Sequence, residues 1–569
     1  MNSKQRFRAR FIFVLIILAA AGLASSLYWT QVVKGKSYAM RATAQYAKPA
    51  TNLFDRGTIF FASKDGTRPA AAAVAGGRVV YMNPSLMKDS EGAFQAISMY
   101  LDLDREEFMR KSAKAGVYEE LARRVEDTTA ASIVGLRLPG VGAARQTWRT
   151  YPGDRLAAHV LGLVGESADG NVQGRYGLER THESTLKRSQ SGASNVFADL
   201  FSGIKESVFG DGTSSAGDIV TTLEPTVQGY VENVLAKAHA TWKPDSIGAI
   251  VMDPESGQIR AAAVLPAFDP NDLSTVRDVR VLSNPLVEHV YEMGSIVKPL
   301  TIALGLDTGA ISPSFTYDDT GSVTLDGKKI SNFDGRARGI SSLQDIVNQS
   351  LNLGAASIAL KAGKEKFGEY FAAFGLTGKT GIDLPNEAAS LVGNLKSGRD
   401  IEIATASYGQ GIAVSPIAMT RALAVLANGG YLVRPHLTQE IIREDNTTEV
   451  TPFQKEGPVL SQRTTTEVTR LLVEAVDTAL KNGAIKMEHY SVAAKTGTAQ
   501  IPDPSAGGYY RDRYLHSFFG YFPAYDPQFI VFLYQINPKG AAFASETLVD
   551  PFAEIAKFLI NYYDIPPDR

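Results

Sequence analysis

The larger, C-terminal part of the chain is predicted to be α+β, or α/β with an antiparallel sheet. Two strand-like runs come early, three come late, and a mostly helical stretch with Gly-rich breaks lies between them. TVQGYVENVLAKAHATW (226–242) carries apolar residues at helical spacing and should be a helix. IGAIVMDP (247–254) and QIRAAAVL (258–265) are apolar and joined through Glu255-Ser256-Gly257, a hairpin signal. YSVAAKTGTAQI (490–501), HSFFGYFPA (516–524) and QFIVFLYQI (528–536) read as strands, and PFAEIAKFLINYY (551–563) reads as a closing amphipathic helix. No repeat of solenoid period is present.

Composition narrows the function. The chain has 569 residues, room for several domains, and its 44% hydrophobic and 21% charged residues are ordinary for a globular protein. A net charge of −2 supplies no footprint for nucleic acid. There are no cysteines, which removes disulfides, thiolate nucleophiles and cysteine-based metal sites. The 7 histidines are all more than five residues apart, so no closely spaced ligand pair exists; neither metal nor cofactor is implied.

The N-terminus reads as an address. Lys4, Arg6, Arg8 and Arg10 precede an uncharged, strongly apolar run from Phe11 to Val33, long enough for the about 20 residues of a membrane span. Tyr28 and Trp29 stand near its end, where amphipathic rings favour the interface. The charge bias predicts a cytoplasmic tail (1–10), a transmembrane anchor (11–33) and a chain otherwise outside the inner membrane. Gly22-Leu23-Ala24 has the small-x-small pattern of a signal-peptide cleavage site, but the apolar run continues past it, which favours an uncleaved anchor. A polar break at 188–217, RSQSGASN and then GDGTSSAGD, separates a first region (45–215) from a second (217–569).

The chemistry-bearing pattern lies in the second region. Ser295 and Lys298 would lie one turn apart if a helix starts near Ser295, and Pro299 is tolerated only near such a start. Oriented N–H groups at a helix N-terminus can hold an oxyanion, and a lysine kept neutral by burial or a nearby cation can accept the serine proton. Ser-x-x-Lys alone carries almost nothing, since it recurs at Ser85, Ser184 and Ser202. Only Ser295 stands between a glycine and a Pro-led apolar helix. Ser350-Leu351-Asn352 follows a helix-like run and could merely terminate it. Lys495-Thr496-Gly497-Thr498 lies in a strand-like segment, where a glycine often marks close backbone approach. Lys379-Thr380-Gly381 lacks a strand pattern and is read as a loop.

Ser-x-x-Lys, Ser-x-Asn and Lys-Thr-Gly in that order form a specific set. With it the chain resembles the penicillin-binding transpeptidases, most nearly the class B, cell-division (FtsI-like) type. AIVMDPESGQIRAAAVLPAFDPND (249–272) looks like the family's first hairpin, and ATASYGQGIAVSPIAMTRALAVLANGG (404–430) its Gly-Gln-Gly stretch. In the first region Asp55–Ile59, Arg149–Pro152, His159–Gly162 and Gly174–Glu179 resemble the pedestal motifs of class B members. This resemblance makes His159 a packing or hydrogen-bonding residue. Phe61–Gly66 stands where the family carries an Asp-Arg-Asn-Gly-like run, and Leu351 where small residues are more usual.

The resemblance implies the penicillin-binding transpeptidase fold: a central antiparallel sheet flanked by helices, with an N-terminal pedestal (dimerisation-like) domain over 45–215, a transpeptidase domain over 217–569 and one transmembrane helix. It implies an acyl-enzyme on Ser295 formed from a stem peptide ending in D-Ala-D-Ala. Lys298 is then the base, Lys495 a cation lowering its pKa, and Ser350 the relay to the departing D-Ala. Asn352 binds the substrate amide and orients Lys298. The backbone N–H groups of Ser295 and Thr498 form the oxyanion hole, one donor being worth about 3 kcal/mol. Thr496, Gly497 and Thr498 bind the substrate, with the two threonine hydroxyls and Lys495 holding the terminal carboxylate. Implied partners are an amine acceptor strand, β-lactams as inhibitors, an FtsW-like membrane glycosyltransferase and other division proteins at the septum. Alternatives on the same fold are an elongation-type enzyme, a D,D-carboxypeptidase or a β-lactam sensor. No Glu-x-x-Leu-Asn segment lies between Ser350 and Lys495 to deacylate as class A β-lactamases do, and no Glu-Asp-x-x-Phe-like motif marks a glycosyltransferase. A non-catalytic division scaffold is the reading outside enzymes.

Overall fold

The computed structural model describes residues 21–23, 25, 27–29, 34, 55–166, 172–188 and 216–569. The expected tail (1–10), most of the anchor (11–33) and most of the linker (188–217) lie outside the described residues. No helix among the described residues is long and apolar enough to cross a membrane. Contacts divide the chain into two units, one containing residues 74–148 and the other containing 56–73, 149–188 and the described residues from 216 onward.

In the smaller unit the end of the strand Ala70–Met82 pairs antiparallel with Glu119–Val125. Three helices pack on it, burying Val80, Met82, Ile97, Phe108 and Ile133 in one core.

The larger unit is built on a five-stranded antiparallel sheet. Its elements in chain order begin with α1 (Pro225–Trp242), β1 (Ser246–Met252) and β2 (Ile259–Leu265). The helical insert contributes α2 (Lys298–Asp307), α3 (Leu343–Asn348), α4 (Asn352–Ala362), α5 (Asp400–Ala406), α6 (Pro416–Ala427) and α7 (Gln462–Thr478). Then come β3 (Ala493–Pro502), β4 (Tyr509–Phe522), β5 (Phe529–Ile536) and α8 (Val549–Tyr562). Strand order is β3-β4-β5-β1-β2, so the two early strands complete a sheet begun by the three late ones.

The strands read as continuous apolar runs because both faces are buried. Ile247, Ala249 and Val251 turn toward Val231 and Leu235 of α1 and Phe552 and Ile555 of α8. Ile250 and Met252 turn into the second core with Phe532, Leu300 and Leu472. Period-2 alternation thus feeds two cores from one strand. Helix α1 starts where Pro225 fixes the first turn and Glu224 caps it, accepting from Val227 N–H at 2.7 Å. Close packing fixes small residues: a Cβ on Gly520 would lie 2.5 Å from the Phe552 ring.

In the second region every strand and helix expected by residue number is present, with shifted ends. β4 begins at Tyr509, seven residues before the expected start, because its first half forms an exposed ribbon with the end of β3 and carries no apolar signal. The insert holds short hairpins as well as helices.

The motifs of the first region meet in space within this unit. Arg56 Nε and Arg149 Nε each donate to the Glu179 carboxylate at 2.6 Å, Arg149 Nη1 reaches Gly57 O at 2.7 Å, and Arg56 also pairs with Glu183 at 2.7 Å. Glu179 and both arginines are buried. His159 is buried too, its Nε2 on Val281 O at 2.9 Å and its ring edge-on to Phe268; burial pulls its pKa down to about 4. It is a packing and hydrogen-bonding residue, as the motif implied. Neutralising Glu179 removes the carboxylate facing the buried Arg149 guanidinium and leaves Arg56 with Glu183 alone, so Glu179→Gln should destabilise the fold by about 3–5 kcal/mol. The check is the urea midpoint, followed by near-UV circular dichroism.

Candidate active site

Ser295 sits in a 3₁₀ turn, Gly294–Val297, and the α-helix proper begins at Lys298, three residues later than a helix starting at the serine. Gly294 makes the turn possible: it holds φ +65° and lies so close to β3 that a Cβ would sit 3.0 Å from Thr498 O. Its N–H donates to Gly409 O at 3.2 Å, which places the Gly-Gln-Gly stretch behind the turn. On the other side Ser517 Oγ donates to Met293 O at 2.7 Å. The Ser295 hydroxyl makes no hydrogen bond among the described residues and faces a groove of about 800 Å³.

Lys298 follows on α2 and is 1% exposed; Lys495 on β3 is 6% exposed. Both reach the Ser-x-Asn turn. Lys298 Nζ donates to Ser350 O at 2.5 Å and to Ser350 Oγ at 3.1 Å, and Lys495 Nζ donates to the same Oγ at 3.1 Å. Ser350 links α3 to α4 with φ +54°, a left-handed conformation that costs a non-glycine residue energy and is typical of functional turns. Burial lowers the Lys298 pKa well below the usual range, and the neighbouring Lys495 charge lowers it further. Burial alone pulls Lys495 down to about 8.

The Lys-Thr-Gly segment lies on β3 at the sheet edge, with Lys495, Gly497 and Thr498 opposite Phe519, Ser517 and His516. Thr496 and Thr498 share one face and line the groove. Thr498 Oγ1 accepts from Ala544 N–H at 3.0 Å. Gly497 abuts the serine turn: a Cβ there would lie 2.4 Å from Ser517 Oγ and 2.6 Å from Met293 O. The glycine within the strand marks a close approach, as its position suggested.

Asn352 lines the same groove but is not hydrogen-bonded to Lys298. Its Nδ2 donates to Ser331 O at 2.9 Å, so the expected orienting bond to the lysine is absent and the Ser350 carbonyl takes that place. The physical reason is the start of α4 at Asn352, which carries the side chain toward the hairpin that ends at Ser331. The second Lys-Thr-Gly is a loop: Glu387 accepts from Thr380 N–H at 2.5 Å and Gly381 N–H at 3.1 Å, away from Ser295.

One group escaped the sequence reading. Glu292, three residues before Ser295, accepts from Tyr509 O–H at 3.0 Å and Gly411 N–H at 3.1 Å, and burial raises its pKa. It lines a second cavity of about 660 Å³ that shares Gly411, Gln500 and Tyr509 with the groove. Its only signal in the sequence was proximity to the serine.

Residues 247–555, more than half of the chain, match the penicillin-binding protein transpeptidase domain. The chain belongs to that family. Residues 69–213 match the penicillin-binding protein dimerisation domain. Stage V sporulation protein D of Bacillus subtilis is 28% identical over 96% of this chain and 84% of its own length. Peptidoglycan D,D-transpeptidase FtsI of Escherichia coli is 25% identical over 97% of this chain and 91% of its own. Among solved structures, penicillin-binding protein 3 of Mycobacterium tuberculosis in complex with aztreonam aligns with a TM-score of 0.68 at 22% identity, covering 91% of this chain and 98% of that one. The fold is therefore that of a penicillin-binding transpeptidase with a dimerisation domain, α+β around a central sheet.

Gly497→Ala should separate the serine turn from β3. A displacement near 1 Å costs well-positioned reacting groups about 100-fold, so labelling of the protein by a fluorescent penicillin should slow by about that factor. Stopped-time labelling measures the rate, and an unchanged circular dichroism spectrum shows that the fold survives.

Proposed function

We propose that this protein is a serine-type peptidoglycan D,D-transpeptidase acting through an acyl-enzyme on Ser295. The observation that carries the reading is the position of the Ser350 hydroxyl, 3.1 Å from both the Lys298 and the Lys495 nitrogens, beside a groove onto which Ser295 opens. Relatives named as peptidoglycan D,D-transpeptidases support it.

In this mechanism the Ser295 oxygen attacks the penultimate D-Ala carbonyl while its proton passes to neutral Lys298. Collapse of the tetrahedral adduct breaks the peptide bond, and the proton moves from Lys298 through Ser350 to the leaving D-Ala nitrogen. The amine of a second strand then attacks the ester, a peptide bond forms, and Ser295 departs with a proton. Ser295 and Thr498 N–H groups stabilise the oxyanion. Lys495 with the Thr496 and Thr498 hydroxyls holds the terminal carboxylate, Gly497 keeps that strand against the serine turn, and Asn352 meets the substrate amide.

We assign residues 45–215 to the pedestal and 217–569 to the catalytic domain, with 11–33 as a single-pass anchor that leaves both outside the cytoplasm. Names of the FtsI type among the relatives support a septal role with an FtsW-like membrane glycosyltransferase.

The test is to incubate the full-length protein in detergent with fluorescent penicillin and map the labelled peptide by mass spectrometry. A stable adduct on Ser295, lost in Ser295→Ala, is expected; no adduct, or rapid turnover of the drug, would sink the transpeptidase reading. The pH profile is a second check. The reaction needs Lys298 neutral, and burial together with the neighbouring Lys495 charge pushes it toward that form. It needs Lys495 charged, and that charge is lost as pH rises through about 8, so labelling should decline on the alkaline side. Lys495→Arg keeps its charge and should remove that decline.

A further inference from the structure

The groove beside Ser295 has a second charged wall that the reaction itself does not use. It belongs to a short hairpin, Ser322–Leu325 paired antiparallel with Lys328–Ser331. Asp326 and Gly327 close it with φ +47° and +75°, as a two-residue type I′ turn requires. Lys328 and Lys329 are exposed, line the groove, and make no ion pair or side-chain hydrogen bond among the described residues. Arg399 lines the same groove, with its closest carboxylate, Glu402, at 3.7 Å. Glu402 is the single carboxylate among the lining residues, against three exposed cations, in a chain whose net charge is −2.

This basic wall is fastened to the site. Asn352 Nδ2 donates to Ser331 O, and Asn332 Oδ1 accepts from Asn352 N–H at 3.0 Å. Asn332 is itself buried and held by both oxygens of Asp319, at 2.9 and 2.8 Å. The turn is tied to α5 because Ile401 N–H donates to Asp326 Oδ2 at 3.0 Å. Two unpaired lysines on a fastened hairpin, with Arg399 only loosely engaged by Glu402, give the edge of the groove a positive potential that attracts and orients an anion.

We propose that Lys328, Lys329 and Arg399 form a subsite for a carboxylate of the donor peptide upstream of its D-Ala-D-Ala end, an inference that rests on the transpeptidase reading. The terminal carboxylate is taken at Lys495, Thr496 and Thr498, so the wall beyond Ser350 and Asn352 reads a different acidic group. The subsite sets preference among donor strands; it moves no proton.

The test uses two donor peptides that end in D-Ala-D-Ala and differ only in one upstream carboxylate, free or amidated. Each competes with fluorescent penicillin for Ser295 in the full-length protein. The free acid should protect at an about fivefold lower concentration, as expected for a few exposed ion pairs. That preference should shrink as salt is raised. It should vanish in K328E/K329E and persist in K328R/K329R, with penicillin labelling reporting in each variant that the serine site is assembled. Equal protection by the two peptides, the result if the wall serves an acceptor strand instead, would overturn the subsite, as would a preference that survives charge reversal. Absence of any label overturns the transpeptidase reading and the subsite with it, whereas label without carboxylate preference overturns the subsite alone.

Discussion

The site depends on burying two lysines around one serine hydroxyl. An isolated ammonium group taken out of water is costly, and the cheapest response is to release its proton. Lys298 and Lys495 both donate to Ser350 Oγ, and Lys298 is depressed further by its neighbour's charge. Lys298 stands at the start of α2 and Lys495 on an edge strand, and it is the Lys495 charge, added to burial, that sets Lys298 lower. Two identical side chains are thereby given different tendencies to ionise.

Such burial needs a close seam between the insert and the sheet. Gly294 and Gly497 make that seam from opposite sides, each lacking a Cβ where the other's backbone neighbourhood passes, and Ser517 and Gly409 lock the turn through main-chain atoms. The sheet can serve as one rigid wall because both its faces are packed, one under α1 and α8 and the other under α2, α6 and α7. Chemistry placed on strands and helix starts is held more firmly than chemistry on loops.

Much of this was legible in the sequence because it rests on local periodicity. The five strands and the two helices α1 and α8 carry continuous or 3.6-period apolar runs that burial on defined faces demands. Gly497 inside a strand announced a close approach. The remainder depends on long-range packing. Asn352 could be placed near the serine by motif order, but its partner is Ser331 on a hairpin whose four-residue strands lie largely exposed and so lack an apolar pattern. The Asp326-Gly327 pair was the available sign of that hairpin. Similarly, Arg56, Arg149 and Glu179 are separated by up to 123 positions, and no local rule unites them.

The architecture divides the labour of the site between its two walls. The proposed nucleophile and base sit on one continuous segment, Ser295 to Lys298, so their separation is set by local helical geometry and not by tertiary packing. The groups that tune and supplement them, Ser350 and Lys495, arrive from two other elements, and both converge on a single hydroxyl. That hydroxyl is held by a strained φ, which a flexible loop would relax; α3 and α4 on either side prevent it. A small movement of α3 or α4 would therefore change both lysine contacts at once, coupling base strength to the assembly of the groove instead of leaving each lysine to its own environment.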